Sequence, residues 1–545
     1  MTILSVLVQG AALYGATWVL WHSLRKLFTH GPLDNIPGPD SASFFTGNLA
    51  QLFKRSGWEF HDKIMTHGPV SKVHSLFGDK MLFVYDPKAL HQIVVKEQYT
   101  YEETPIFLKI NHLMFGPGLL STLGEHHRHQ RKMLNPVFHI NHMRYMEPIF
   151  YEITHKLRGA LIRQVENGSR EIDVLGWMTR TALELVGQGG LGHSFDELDD
   201  DVPNPFAEAL KSLVPVMAPM FLIVRLLPFV VNIGPASVRR WIVERLPLKN
   251  VQAARKLSDL MDKTSREILA SKRKALVEGD EAVHRQVGAG KDIMSVLLQA
   301  NMHASDEDRL PDAELLGHMS TFLFAAMETT SGALVHILHM LAEHPVEQEK
   351  LRQEILKAQV DGGDIPYDEL VALPYLEAVC RETLRLHSPV TALSRRTQKD
   401  MVLPLSSPIR GTDGSMINEV PVPKDTDVMI GIMACNKNPA LWGPDANEWK
   451  PERWLSPLPE SITEAHVPGV YSNLMTFLGG GRACIGFKFS QLEMKVVLSV
   501  LLSTFKFEMS SKEIFWNFAG VQYPTTGTKS NKAEMFLRVS LHKST

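Results

Sequence analysis

From Pro311 to Glu343 apolar residues recur on every side of a helical repeat, and the run stops only at His344-Pro345. The pattern predicts one long helix, apolar all round near its middle and therefore crossing the core. At ~1.5 Å per residue it would be a rod of roughly 50 Å. A second helical pattern runs from Ile485 to about Ser503, with Phe487, Phe489, Leu492, Val496 and Val500 among its apolar positions. Tyr375 to His387 predicts another helix, stopped by Ser388-Pro389. Val70–Leu76 and Met81–Tyr85 read as strands about Gly78-Asp79, and Asp86-Pro87 then fits a cap and first position of a helix. Thr104 to Leu120 is apolar but carries Pro105, Gly116, Pro117 and Gly118, so it is expected to be irregular. Glu278 to Gly290 is polar and predicts a surface loop.

The first stretch of the chain differs in kind. Ile3 to Trp21 is almost wholly apolar and uncharged, close to the ~20 residues that span a bilayer. Arg25 and Lys26 follow it, which places the remainder on the cytosolic side. A cleaved signal peptide would carry its basic residues before the apolar run, not after it. Ile36-Pro37-Gly38-Pro39 then forms a stiff breaker. The organisation expected is an anchor over residues 1–24, a proline-rich hinge over 25–44 and one large domain over 45–545. Asn167-Gly168-Ser169 is a glycosylation sequon that a cytosolic domain would leave silent.

Composition narrows the classes. The net charge of −3 argues against a nucleic-acid binder. The three cysteines, Cys380, Cys435 and Cys484, are far apart and match neither a zinc spacing nor a disulfide framework. An apolar fraction of 44% is ample for a core.

Cys484 carries the chemistry. It lies in a glycine-rich loop just before the helical pattern that begins at Ile485, where free N–H groups and the helix dipole favour a thiolate. Gly480 and its neighbours let backbone approach a flat ligand, Gly486 removes a side chain beside the sulfur, and Arg482 adds a fixed positive charge. Phe477, Gly480, Arg482, Cys484 and Gly486 together resemble the haem-binding signature of the cytochromes P-450.

That resemblance extends along the chain. It implies a mainly α fold with small β-sheets, in which a long central helix lies over haem b and an N-terminal transmembrane helix precedes the domain. It makes Cys484 the axial thiolate of the iron, with Arg482 pairing a haem carboxylate. Gly124 to Phe138 is similar to the helix that contacts the haem carboxylates. There Arg131 holds the arginine position, and His127 stands where tryptophan is usual. On the central helix, Glu328-Thr329 matches the acid–threonine pair that delivers protons, and Ala326 stands where glycine is common. Glu382 and Arg385, three apart on one helix face, would form a buried network with Arg453. The segments Gly124–Phe138 and Ala434–Gly443 look most like fungal members.

The resemblance implies a monooxygenase that uses O2 and NADPH-derived electrons to hydroxylate a C–H bond. The chain ends at Thr545, soon after Cys484, so a separate NADPH–cytochrome P-450 reductase is the expected partner, docking on a basic face with Arg131, Lys132 and Lys488. The expected location is the endoplasmic reticulum membrane. The expected substrate chamber is apolar: Ile106, Phe107, Met114, Phe115 and Leu119, Phe322 and Ala325, Val390 and Leu393. It suits a terpenoid, a sterol or a fatty chain, in secondary metabolism or detoxification. Leu213 to Val231, broken by Pro215, Pro219, Arg225 and Pro228, would roof this chamber and touch the bilayer. Two other classes stay open: a haem-thiolate isomerase or dehydratase that uses no O2, and a membrane-anchored haem carrier or sensor.

Overall fold

The computed structural model describes residues 31–542 apart from 201, 285, 286 and 360, together with residues 10, 13–15, 17 and 21. The membrane anchor expected over residues 1–24, but for those isolated positions, and the start of the hinge lie outside the described residues. What is described is mainly helical with small sheets. Its chain divides into two compact units, one reaching up to Glu102 and including Leu393–Gly431, the other Glu103–Ala392 and Ile432–Thr545.

The first unit is built on a sheet whose strands run in the order Val70–His74, Lys80–Val84, Asp427–Gly431, Ala392–Thr397, Tyr101–Glu103. The first pair is the antiparallel hairpin expected around Gly78-Asp79, with Val70 opposite Val84. Lys80–Val84 then pairs in parallel with Asp427–Gly431, Leu82 opposite Val428. Asp86 caps the following helix, Pro87–His91, by accepting from the Ala89 N–H. The end of the proline-rich segment is fastened to this sheet: the Lys72 N–H donates to the Pro37 carbonyl, and Ile36 is buried.

In the second unit the central helix, Asp312–Glu343, begins and ends within a residue of where the pattern places it. It is buried along most of its length, so its length and apolarity mark a core helix. Helix Phe487–Thr504 packs against helix Ile140–Glu166, with the Phe150 and Phe489 rings edge to face at 4.9 Å. Helix Pro374–Leu386 lies where expected.

Two expectations are corrected. Pro105–Phe115 is a regular helix, because Thr104 caps it by accepting from the Phe107 N–H and Pro105 fills the first position, where no N–H is needed. Gly116, at φ 92°, ends it. Within Glu278–Gly290, a short helix forms over Asp280–His284 and a 3-10 turn over Val287–Gly290. Leu213 to Val231 is broken as predicted: Pro205–Met220 and Ile223–Val230 meet at a bend of 75°. Leu222, Ile223, Leu226, Phe229 and Val230 on it are exposed.

Candidate active site

The cysteine loop is held in a tight path. Leu478 and Gly480 take positive φ (55° and 66°), and a 3-10 turn follows over Gly480–Arg482. A Cβ on Gly479 would come 1.7 Å from the Pro468 carbonyl oxygen, so only glycine fits there. The Cys484 N–H donates to the Phe477 carbonyl (2.9 Å), and Gly486 then opens helix Phe487–Thr504. Nothing lies within 4 Å of a Cβ built on Gly486, so space is kept beside the sulfur.

Cys484 keeps accessible surface, yet burial pushes its thiol up, against the pull of the Gly486 N–H and the Arg131 guanidinium. The surface it shows therefore faces the interior of the fold. The helix terminus and the Arg131 guanidinium both favour the thiolate, but without a bound cation they do not offset the desolvation. A bound metal cation would, since a coordinating thiol is deprotonated outright.

Two arginines lace the loop to helix Gly124–Leu134. Arg131 donates through Nη1 to the Ala483 carbonyl (2.6 Å), next to Cys484, and through Nε to Asn135 (3.0 Å). In return Arg482 donates through Nη2 to the Thr122 carbonyl (2.9 Å), just before that helix. Burial and the neighbouring Arg482 charge both lower the pKa of Arg131, and the field of Cys484 opposes them. Two guanidinium groups crowded into a partly buried place suit a dianionic edge between them. His127 is buried on the same helix.

The central helix touches the helix that follows the cysteine loop. The Thr330 hydroxyl donates to Ser490 (3.2 Å), six residues after Cys484 on the helix that the cysteine loop starts. On an otherwise buried stretch, Phe324, Ala325, Ala326 and Thr329 retain accessible surface. The Thr329 hydroxyl donates back to the Ala325 carbonyl (2.8 Å). Glu328 beside it is buried, its Oε1 has no partner among the described residues, and burial raises its pKa to about 8, opposed by Lys211. At neutral pH it is a protonated acid held within the core. Lys211, itself buried and bonded to Glu208 (2.5 Å), was not singled out from sequence. A lone lysine 117 positions upstream gives no pattern to find.

Away from this interior, Glu382, Arg385 and Arg453 do meet. Arg385 donates through both Nε and Nη2 to the two oxygens of Glu382 (2.8 Å each), and Arg453 Nε reaches Oε1 at 2.9 Å. Trp454 Nε1 completes the set at 3.0 Å, a member sequence reading missed although it follows Arg453 directly. Arg385 also donates to the Ala446 carbonyl (2.5 Å). Glu382 and Arg385 are fully buried, and every oxygen and nitrogen is answered.

Of the expected chamber residues, Phe115 stacks on Phe324 (5.1 Å), and Phe322 meets Phe138 edge to face (5.5 Å). Ile106, Phe107, Met114, Ala325 and Val390 are partly accessible in the same unit. Leu393 belongs to the other unit.

A cysteine in a glycine-rich loop ahead of a helix, with paired arginines beside it and a long core helix in the same unit, is the arrangement of a haem-thiolate type of oxidoreductase. A family model described as cytochrome P-450 matches residues 37–519. Cytochrome P-450 monooxygenase 91 of Postia placenta is 59% identical over 97% of this chain and 98% of its own length. Cytochrome P-450 monooxygenase 81 of the same fungus is 54% identical over 97% of both chains. A ganoderic acid synthetase of Ganoderma lucidum is 50% identical, again over 97% of each. The chain belongs to the cytochrome P-450 family and is a monooxygenase. The family implies haem iron with a thiolate ligand, and a redox partner that supplies electrons.

Proposed function

We propose that this monooxygenase hydroxylates C–H bonds of an apolar, terpenoid-like small molecule, with O2 and with electrons passed from NADPH by a separate reductase. The carrying observation is Glu328: a buried, neutral acid with an unpartnered oxygen, beside Thr329 on the central helix, in the same unit as Cys484. A carrier or an isomerase that uses no O2 has no need of a proton donor there. The ganoderic acid synthetase among the relatives, and the apolar Ile106, Phe107, Met114 and Phe115, support a terpenoid.

Haem, when bound, supplies O2 activation and the oxidising power to break an unactivated C–H bond. Cys484 Sγ would hold its iron. Arg131, Arg482 and His127 would hold its carboxylates by charge-assisted hydrogen bonds, and Gly480 and Gly486 would leave room for its plane. Glu328 gives up a proton toward the interior and regains one from the side of Lys211. The Thr329 hydroxyl, resting on the Ala325 carbonyl, turns to position water for that transfer. The apolar lining, with Phe322 and Phe115, orients the substrate and keeps other water out.

The protein is held at the endoplasmic reticulum membrane by residues 1–24, facing the cytosol. The exposed Leu222, Ile223, Leu226, Phe229 and Val230 suit contact with the bilayer. The test is a terpenoid and fatty-acid panel, run with reductase and NADPH and analysed for products heavier by one oxygen atom. Turnover of fatty acids alone overturns the terpenoid reading. A product formed without O2 overturns the hydroxylation itself.

A further inference from the structure

Beneath the cysteine loop lies a buried phenol with a proton acceptor already in place. Tyr471 is 5% exposed. Its ring meets the Phe477 ring edge to face at 5.5 Å, and the Phe477 carbonyl accepts the Cys484 N–H. The Tyr471 hydroxyl donates to Glu377 Oε1 at 3.1 Å. That carboxylate also holds Arg381 (2.6 Å) and Lys495 (2.6 Å), which keep its pKa below the ordinary value despite burial. Nothing in the monooxygenase chemistry above uses this group.

We infer that Tyr471 is a redox-active tyrosine, which surrenders an electron to the oxidised haem site and its phenolic proton to Glu377. The inference rests on Cys484 as the haem ligand. The step balances as follows. Hydrogen peroxide, reduced to water, removes two electrons from the haem site when no substrate is present; Tyr471 replaces one and the second equivalent stays at that site. One electron passes from the Tyr471 ring by way of Phe477 and the cysteine loop. The O–H bond breaks and its proton moves along the existing hydrogen bond to Glu377 Oε1, which leaves a neutral tyrosyl radical and a neutral carboxylic acid.

Three features favour oxidation of Tyr471 over mere passage of electrons toward the haem. Inward electron flow needs no proton acceptor, yet one is in place. Burial keeps the phenol protonated, so it loses an electron easily only if its proton can leave. The Arg381 guanidinium lies 5.7 Å from the Tyr471 ring and 5.6 Å from the Trp454 ring. A positive charge there opposes a tryptophan radical cation but not a neutral tyrosyl radical, so the oxidising equivalent should stop at Tyr471. The use of such a site is protection: an oxidant formed without substrate is lowered by one electron before it damages the haem and the chamber.

The test uses the full-length, haem-loaded protein mixed with hydrogen peroxide without substrate, frozen within milliseconds to seconds and read by electron paramagnetic resonance. The unmutated protein should give a tyrosyl signal that narrows when ring-deuterated tyrosine is incorporated. Tyr471→Phe should lower it at least tenfold and speed haem bleaching several-fold, with the red-shifted band of the reduced CO complex intact. Glu377→Gln, which keeps an acceptor but not a base, should also lower the yield, and covers the case that Tyr471→Phe loads haem poorly. An unchanged signal in Tyr471→Phe with that band intact, or no tyrosyl signal in the unmutated protein, overturns the inference alone. Absence of the band in the unmutated protein overturns the haem assignment first, and this inference with it.

Discussion

Glu328→Gln should make the protein more stable and the enzyme slower. Burial raises the Glu328 carboxyl from 4.5 to about 8 in the folded chain. A raised acid binds its proton more tightly folded than unfolded, so folding stability is full below about 4.5 and declines as pH rises toward 8. Each pH unit in that window costs ~1.4 kcal/mol. At pH 7 the deficit is about 3 kcal/mol, and at pH 5 under about 1 kcal/mol. Glutamine is neutral at every pH, and Glu328 Oε1 has no partner to lose. The variant should therefore gain most of that deficit at pH 7. Unfolding entropy for a chain of this length is on the order of 1.1 kcal/mol per kelvin, so the gain is ~3 °C in Tm at pH 7 and under ~1 °C at pH 5. Thermal unfolding of both haem-loaded proteins at the two pH values reads it. Turnover of the variant should fall, because the proton donor is gone while size is kept. Equal Tm differences at pH 5 and pH 7 would refute the reasoning, since Glu328 would then not be a buried neutral acid.

Other substitutions probe the rest of the site. Cys484→Ser should abolish the red-shifted Soret band of the reduced CO complex, and a persisting band would remove Cys484 as ligand. Thr329→Ala should leave haem content near normal and cost at most about 1 kcal/mol, since alanine favours helix and only a methyl and a hydroxyl go. Product per NADPH should fall while peroxide rises, and unchanged coupling would make the Ala325 bond the threonine's whole role. Glu382→Ala should destabilise by about 3–5 kcal/mol, because it leaves Arg385 buried without its counter-charge. A loss below about 1 kcal/mol in denaturant titration would show the network to be replaceable. Protease treatment of microsomes should digest the domain from the cytosolic side, and a glycan on Asn167 would reverse that topology.

Much of this was legible in the sequence because it was written in strong periodicity or in fixed local spacing. The central helix has apolar positions all round and clear stops, and its observed limits differ little from those expected. The cysteine loop is a local motif, so its turn, its glycines and its place before a helix follow from neighbours in the chain. Helix Pro105–Phe115 was missed for a physical reason. Its prolines and glycines read as breakers, although Thr104-Pro105 is a helix start and Gly116 only its stop. The thiol's raised pKa was illegible because it sums a local helix terminus with burial by distant segments. Lys211 near Glu328, and Glu377 against Tyr471, join residues far apart in the chain, and no single-sequence pattern marks such pairs.

Two buried acids in the second unit show how the fold separates support from chemistry. Glu382 is fully buried and fully answered: two arginines, an indole and the Lys450 N–H all converge on its two oxygens. Such a carboxylate is fixed in place, and it joins helix Pro374–Leu386 to the segment that leads into the cysteine loop. Glu328 is also buried but has an oxygen without a partner among the described residues, so it stays protonated at neutral pH. Pairing both oxygens of Glu328 with donors would favour its charged form and end its use as a proton source. Leaving it unpaired lowers stability at neutral pH by about the amount worked out above. That cost is tolerable only on an element the rest of the core holds rigid, and the central helix, buried along nearly all of its length, is such an element. Removing the unpaired acid should therefore raise stability and lower activity, while removing the paired one should lower both.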